Sequence, residues 1–298
     1  MNDKYKRIIE MSALPLMLLF LSAVALTFQS CKGKSKSNNL STATDSLSDD
    51  ALMDTVQRRT FLYFWEGAEP NSGLAPERYH VDGVYPENDA NVVTSGGSGF
   101  GIMAILAGID RGYVTREEGL ARMERIVSFL EKADRFHGAY PHWWYGDTGK
   151  VKPFGQKDNG GDLVETAFLI QGLLAVHQYY VNGNEKEKAL AQRIDQIWRD
   201  VDWNWYRQGG QNVLYWHWSP TYGWEMNFPV HGYNECMIMY ILAAASPTME
   251  YLRLSIMTVG HRTEPSFLRI KWKESSCTSA IRHRSRTAFL GSILFPRT

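Results

Sequence analysis

The chain has 298 residues, of which 44% are hydrophobic and 21% charged, so most of it can build a core and general intrinsic disorder is excluded. Basic and acidic residues both number 32, and this zero net charge argues against a nucleic-acid-binding protein. Aromatic residues make up 13% of the chain and include 10 tryptophans, whose flat faces suit stacking on ligands.

The N-terminus predicts a secretory signal of the bacterial lipoprotein type. Basic residues precede an apolar run, Met11–Phe28, which is closed by Ser30 and Cys31. Residues 1–31 would then be the signal, with Cys31 as the lipidated residue that anchors the protein to the membrane of the cell envelope, facing the periplasm or the surface. The alternative is an uncleaved anchor of about 18 apolar residues. Residues 32–50 are polar and serine-rich, which predicts a flexible tether.

Six helices are predicted after the tether. The fourth and sixth are apolar almost all round and should be buried, whereas the third and fifth have one apolar face. In chain order they are Ala51–Trp65, Gly99–Asp110, a helix that opens with a capping box at Thr115–Glu118, Asp162–Val181, Asn184–Asp200 and Glu235–Ala245.

The connections between the helices alternate in length. Arg111–Val114 and Asn182–Gly183 are short, whereas Glu66–Ser98, Arg135–Gly161 and Val201–Asn234 each have about 30 residues. Short connections make antiparallel neighbours, so helices two, four and six should run in the same direction. Their N-termini and the three long loops should therefore lie together on one rim.

Alternation of buried and amphipathic helices indicates an all-α fold, a double-layered helical toroid or (α/α)6 barrel. A closed ring needs about six helix pairs, and only three are found, so we expect the toroid to be incomplete in this chain. Strand-like alternation is weak, apart from a short hairpin predicted around residues 212–218.

The glycine-rich segment Thr94–Gly99 precedes the second helix at this rim. Such a loop could bind a phosphate, although the lysine of a P-loop is absent. Alternatively, the glycines allow close packing between helices.

Three carboxylates at the predicted helix starts are candidates for acid and base chemistry. Asp162 and Glu165 share one face of a first turn, where the helix dipole should favour their charged forms. Glu235 precedes an apolar run, whose desolvation should raise its pKa. Two carboxyl groups in opposed environments are what glycosidic hydrolysis requires. The alternatives are helix capping for Asp162, an arginine partner for Glu165 and a buried salt bridge for Glu235.

Aromatic side chains cluster in two of the long loops, where they could stack on sugar rings. Trp65 and Trp198 lie on predicted helices and are expected to fill the core. His142 and His217 stand among the loop aromatics, and we expect them to hydrogen bond rather than bind metal. The three cysteines, Cys31, Cys236 and Cys277, are too widely spaced for a zinc site or a disulfide framework, and no cofactor or metal is expected. The loop aromatics are Trp143, Trp144, Tyr145, Trp216, Trp218, Tyr222 and Trp224.

Several motifs together resemble the bacterial glycoamylase-like domain family, which includes the endo-β-1,2-glucanases of glycoside hydrolase family 144. The resemblance covers about residues 50–248. The motifs are Tyr63–Trp65, Asp158–Thr166, Tyr215–Pro220, Tyr222–Asn227, Gly232–Glu235 and Ala243–Thr248.

This resemblance implies an (α/α)6 toroid that cleaves a glucan, possibly a β-1,2-glucan, with inversion of configuration. The acidic positions that match are Asp158, Asp162, Glu165 and Glu235. We expect Glu235 to be the acid and Asp162 to be the base or a substrate anchor. The aromatic loop residues, with His217 and Asn234, are expected to bind the oligo- or polysaccharide.

The resemblance ends after Thr248. Residues 249–298 contain nine lysines and arginines against three glutamates, and their helical periodicity is poor. We expect an out-of-frame segment, the alternative being a basic tail that binds a membrane surface or an acidic partner.

The leading functional prediction is therefore a lipid-anchored, monomeric glycoside hydrolase whose activity is impaired in this form. One alternative is a lipoprotein that binds carbohydrate without cleaving it, and another is an interaction scaffold related to helical-repeat proteins.

Overall fold

The structure is a computed structural model that describes residues 47–248 except Pro86 and Tyr233. The predicted signal, the lipidation site Cys31, most of the tether and the basic tail lie outside the described residues. The helices are α1 Asp49–Trp65, α2 Ser95–Asp110, α3 Arg116–Leu130, α4 Leu163–Tyr180, α5 Glu185–Arg199 and α6 Met237–Ala245, and a 3-10 helix spans Trp205–Arg207. The strands are β1 Val92–Thr94, β2 Trp143–Tyr145, β3 Val151–Lys152, β4 Gly161–Asp162 and β5 His217–Trp218.

All six predicted helices are confirmed, and side-chain caps set the start of three of them. At α3, the Thr115 hydroxyl accepts the Glu118 N–H and the Glu118 carboxylate accepts the Thr115 N–H. Asn184 and Glu187 repeat this capping box at α5. The side chain of Asp162 caps α4. Among the described residues, none of the helices combines the length and the apolar character that crossing a membrane requires.

The helices pack in two layers. Helix α4 contacts α2 on one side and α6 on the other, and α1, α3 and α5 pack against this row. Helices α2 and α4 run in the same direction, as the loop lengths predict, because residues near their N-termini meet (Gly96 with Glu165) and residues one turn further on also meet (Gly99 with Phe168). The described chain is thus helix-rich, with α4 at its centre.

Two small sheets lie beside the helix starts. In the first, β1, β2 and β3 pair antiparallel, with Val93 opposite Trp144. In the second, β4 pairs with β5, so that Asp162 lies opposite His217. The short hairpin predicted around residues 212–218 is found in part: Leu214–Trp216 pairs antiparallel with Phe228–Val230, whereas His217 and Trp218 pair with β4. The partner of β5 lies more than 50 residues earlier in the chain, and a two-residue strand has too little alternation to indicate it.

Close contact between α2 and α4 depends on glycine. A methyl group added at Gly172 would collide with the backbone of Gly99, and one added at Gly99 would collide with the carbonyl of Phe168. Both glycines are buried, so neither collision can be relieved by turning toward solvent.

We predict that Gly172→Ala lowers the free energy of unfolding by about 1–3 kcal/mol, because the two helices must separate to admit the methyl group. Urea denaturation measures this change. The matched control is Gly155→Ala, where an added Cβ meets no atom within 4 Å and a change within about 0.5 kcal/mol is expected. Equal stability of the two variants would contradict this packing.

Candidate active site

The N-termini of α2 and α4 meet through the glycine-rich segment before and within α2. The N–H of Gly96 donates to Oε2 of Glu165 at 2.9 Å, and a side chain at Gly96 would collide with that carboxylate. The glycines therefore serve close packing, as the alternative to phosphate binding predicted. The N–H that would bind a phosphate is already bonded to Glu165.

Asp162 is the centre of the hydrogen-bonded cluster at this rim. Its side chain is fully buried, and Oδ1 accepts the Glu165 N–H at 2.9 Å, so the helix-capping alternative is confirmed. Oδ2 accepts the indole N–H of Trp216 at 2.7 Å and lies 3.0 Å from Nδ1 of His142. Both carboxylate oxygens are thus occupied by protein donors. This makes Asp162 an organiser of the neighbouring side chains, rather than a group free to contact water.

Glu165 differs from the expectation based on the helix dipole. Burial raises its pKa, and the negative charges of Asp162 and Glu235 add to this effect; His142 and the Gly96 N–H oppose it without cancelling it. The expectation that its environment favours the charged form is therefore wrong, because the pKa of Glu165 is shifted upward rather than downward. Desolvation beside a second carboxylate outweighs the dipole.

The pKa of His142 is also shifted upward. Burial disfavours its protonation, but the hydrogen bond to Asp162 and the negative charges of Asp162, Glu165 and Asp158 outweigh burial and raise its pKa. The backbone of His142 is also held in place, because its carbonyl accepts the N–H of Ser95 at 3.1 Å. His142 thereby links the start of α2 to the start of α4.

Asp158 and His217 form a second buried acid–histidine pair. Their Oδ1 and Nε2 atoms lie 3.1 Å apart, and the Gly160 nitrogen lies 3.2 Å from the same Nε2 atom. The other carboxylate oxygen of Asp158 is buried and has no partner among the described residues. His142, Asp158 and Asp162 bring one nitrogen and two oxygens within 4.8 Å of one another, a spacing that could hold a cation. The expectation of no metal stays a prediction.

Glu235 lies just before α6 and is exposed. The desolvation predicted for it is wrong, because α6 first becomes buried at Met239, four residues later. Its charge nevertheless helps to raise the pKa of Glu165, which places Glu235 in the electrostatic neighbourhood of the cluster. Asn234, beside it, donates to the carbonyl of His231 and accepts the Cys236 N–H, so its amide shapes the turn into α6.

The aromatic residues on β2 divide between core and surface. Trp144 is fully buried, and its indole donates to the carbonyl of Asp134, so its predicted role in stacking on sugars is wrong. Trp143 and Tyr145 point to the opposite face of the strand and are partly exposed. Lys152 lies 4.9 Å above the Trp143 ring.

The aromatic residues around β5 also divide. His217 is buried against Asp158, so it cannot contact a ligand directly. Trp218 lies on the other face of β5, where it packs edge-on against His137 and Trp205. Trp224 joins this group through Trp205 and Tyr206. Trp216 faces Asp162, and Tyr222 is 37% exposed. Trp218 and Trp224 therefore form a cluster on the face of the β4–β5 sheet opposite to His217.

Two exposed phenylalanine rings lie beside the Asp162 cluster, and no pattern in the sequence predicts them as site residues. Phe154 stacks on His142, with ring centres 4.3 Å apart, and Phe228 packs edge-on against Trp216 at 5.8 Å. A single phenylalanine in an irregular loop belongs to no periodic pattern, so only the folded structure reveals where it lies.

Comparison with known proteins confirms the family resemblance. The chain is 53% identical over 213 residues to the exo-β-1,2-glucooligosaccharide sophorohydrolase of Parabacteroides distasonis, which covers 71% of this chain and 29% of that protein. A glucoamylase-like structure from Bacteroides caccae is 89% identical, with a TM-score of 0.69, over 72% of this chain and 51% of that one. The endo-β-1,2-glucanase of Chitinophaga pinensis, solved with sophorotriose and glucose, is 70% identical, with a TM-score of 0.70, over 72% of this chain and 51% of that one.

The chain therefore spans about a third to a half of the length of the relatives it matches. No protein-family model matches it.

We predict opposite pKa shifts for two histidines. NMR titration should find the pKa of His142 above 6.5, because of Asp162, and that of His177, in the last turn of α4, below 6.5, because of burial. Asp162→Asn should lower the pKa of His142 and leave that of His177 unchanged.

The raised pKa of His142 also predicts how the stability of the protein depends on pH. A raised pKa in the folded state stabilises the protein below the unfolded-state pKa, and this contribution is lost as the pH rises through the folded-state value. Urea denaturation should therefore show a larger stability difference between the natural chain and His142→Asn at about pH 5 than at about pH 9. A difference that grows with pH would contradict the raised pKa of His142.

Proposed function

We propose that this chain forms part of the catalytic cleft of a glycoside hydrolase that acts on β-1,2-linked glucan. The observation that carries the proposal is the cluster around Asp162, where two of the long loops bring His142 and Trp216 to the first turn of α4, beside the carboxyl groups of Asp158 and Glu165. The β-1,2 linkage is proposed from the relatives, which are named for hydrolysis of that linkage.

The helices fit an (α/α)6 toroid of which the described residues form about half. Three helix pairs pack against one another, with α2 and α4 running in the same direction, and about six pairs close such a ring. The structures that match this chain have about twice the matched length. We propose that residues 51–248 correspond to the N-terminal part of that ring and that residues 249–298 are a separate, out-of-frame segment.

The proposed mechanism is hydrolysis with inversion, in which one carboxyl group protonates the leaving oxygen and another activates water. Glu235 remains the proposed proton donor because it is exposed and so within reach of a bound glucan. Glu165 is the second candidate because burial and the neighbouring Asp162 raise its pKa, which is the direction that a general acid requires. Asp162 would hold His142 and Trp216 in place, because its own oxygens are fully engaged.

The alternative function is carbohydrate binding without cleavage. It is favoured by the exposure of Glu235, which lies at the surface rather than in the apolar surroundings expected for it. The aromatic rings at the rim would serve either function.

We further propose that the protein is a monomer anchored to the cell envelope through a lipid on Cys31. The basic, apolar and cysteine-terminated order of residues 1–31 supports this proposal.

Cleavage is tested by incubating the full chain with β-1,2-glucan and measuring new reducing ends. We predict that Glu235→Gln lowers turnover by about 10²–10⁴-fold while binding is kept, because the carboxyl group donates a proton only during the reaction. The control is Glu225→Gln, which removes an exposed carboxylate in an ion pair with Lys157 and should leave turnover unchanged.

An activated leaving group separates the two proton donors. A substrate whose leaving group needs no proton bypasses the general acid. If Glu235 is the acid, this substrate should restore turnover in Glu235→Gln and not in Glu165→Gln. If Glu165 is the acid, the reverse is expected. Binding detected by tryptophan fluorescence without new reducing ends would instead support the non-catalytic alternative.

A further inference from the structure

We infer that Phe154 and Phe228, the two exposed rings beside the Asp162 cluster, each stack on a glucose ring of the bound glucan. This inference rests on the proposed function and deepens it, because it names residues that would recognise the substrate. Neither phenylalanine lies in a motif that carries the family resemblance.

Both rings are linked to Asp162 through one other ring. Phe154 stacks on His142 with an angle of 27° between the rings, and Nδ1 of His142 meets Oδ2 of Asp162. Phe228 packs against Trp216, whose indole N–H donates to the same oxygen. Each phenylalanine is therefore one ring removed from the central carboxylate.

Both rings are exposed although their backbones are held in place. Phe154 is 50% exposed and Phe228 is 58% exposed. The N–H of Phe154 donates to the carbonyl of Asp158 at 3.0 Å, and the carbonyl of Phe228 accepts the N–H of Trp216 at 3.0 Å. Large apolar rings that are exposed on fixed backbone beside buried polar groups are typical of binding sites, since leaving them in water contributes nothing to folding.

The polar groups of the Asp162 cluster suit a pyranose. Oδ2 of Asp158 is buried without a partner among the described residues, and the His142 ring bonds to Asp162 through Nδ1, not Nε2. A carboxylate oxygen can accept a hydrogen bond from a hydroxyl, and an imidazole N–H can donate one. A glucose ring presents apolar C–H faces to aromatic rings and hydroxyl groups at its edge, so it matches both the exposed rings and these polar groups.

The test is isothermal titration calorimetry with sophorotriose on the full chain. Phe154→Ala and Phe228→Ala should each weaken binding by about tenfold, because each removes one stacking face. Phe154→Trp and Phe228→Trp should keep binding within about twofold, because an indole supplies a face of the same kind. The control is Tyr79→Ala, which removes a ring that is 65% exposed and has no ring contact among the described residues; it should bind as the natural chain does.

Thermal denaturation separates recognition from a structural role. Because both rings are exposed, neither alanine variant should lower the melting temperature by more than about 2 °C. Alanine variants that bind sophorotriose as tightly as the natural chain would overturn the inference and leave the proposed function standing. Failure of the natural chain itself to bind sophorotriose would overturn both.

Discussion

The carboxylate of Asp162 is the interaction on which the rest of the site depends. A fully buried charge is tolerated only when its oxygens are matched by donors, since an uncompensated buried charge costs several kcal/mol. Three segments supply these donors: the first turn of α4 through the Glu165 N–H, the chain before β2 through His142, and the chain before β5 through Trp216. Loops that are far apart in the sequence are thereby held against one helix start. Pairing of β4 with β5 adds a backbone connection at the same position.

The charge of Asp162 also determines how its neighbours ionise. It raises the pKa of Glu165, whose burial already disfavours a second negative charge, and it supports the protonated form of His142. Two acidic side chains one helical turn apart thus differ in their environments, one surrounded by donors and the other desolvated beside a carboxylate. That contrast is what acid and base catalysis uses, because one group can hold a proton at a pH where its neighbour is charged.

Helix packing places these groups close enough to interact. The N–H of Gly96 can reach Glu165 because Gly99 and Gly172 let α2 and α4 approach backbone to backbone. Strand alternation then sorts the aromatic residues, so that Trp144 enters the core while Trp143 and Tyr145 stay partly exposed, and Trp218 turns away from His217. The rings left nearest to Asp162 are His142 and Trp216, with Phe154 and Phe228 outside them.

The sequence by itself determined the helices, their order and their common rim, because apolar periodicity, capping residues and loop lengths act locally along the chain. It also indicated the family, since motifs such as Asp158–Thr166 recur in order. Helix capping by Asp162 was predicted as the alternative to a catalytic role. Only the tertiary structure decided which groups are buried. Segments distant in sequence bury Glu165, which raises its pKa. No such segment covers Glu235 among the described residues, so it is exposed. The same reason explains Trp144 in the core, the pairing of β5 with β4, and the two phenylalanines beside Asp162: burial and long-range pairing depend on contacts that no local pattern records.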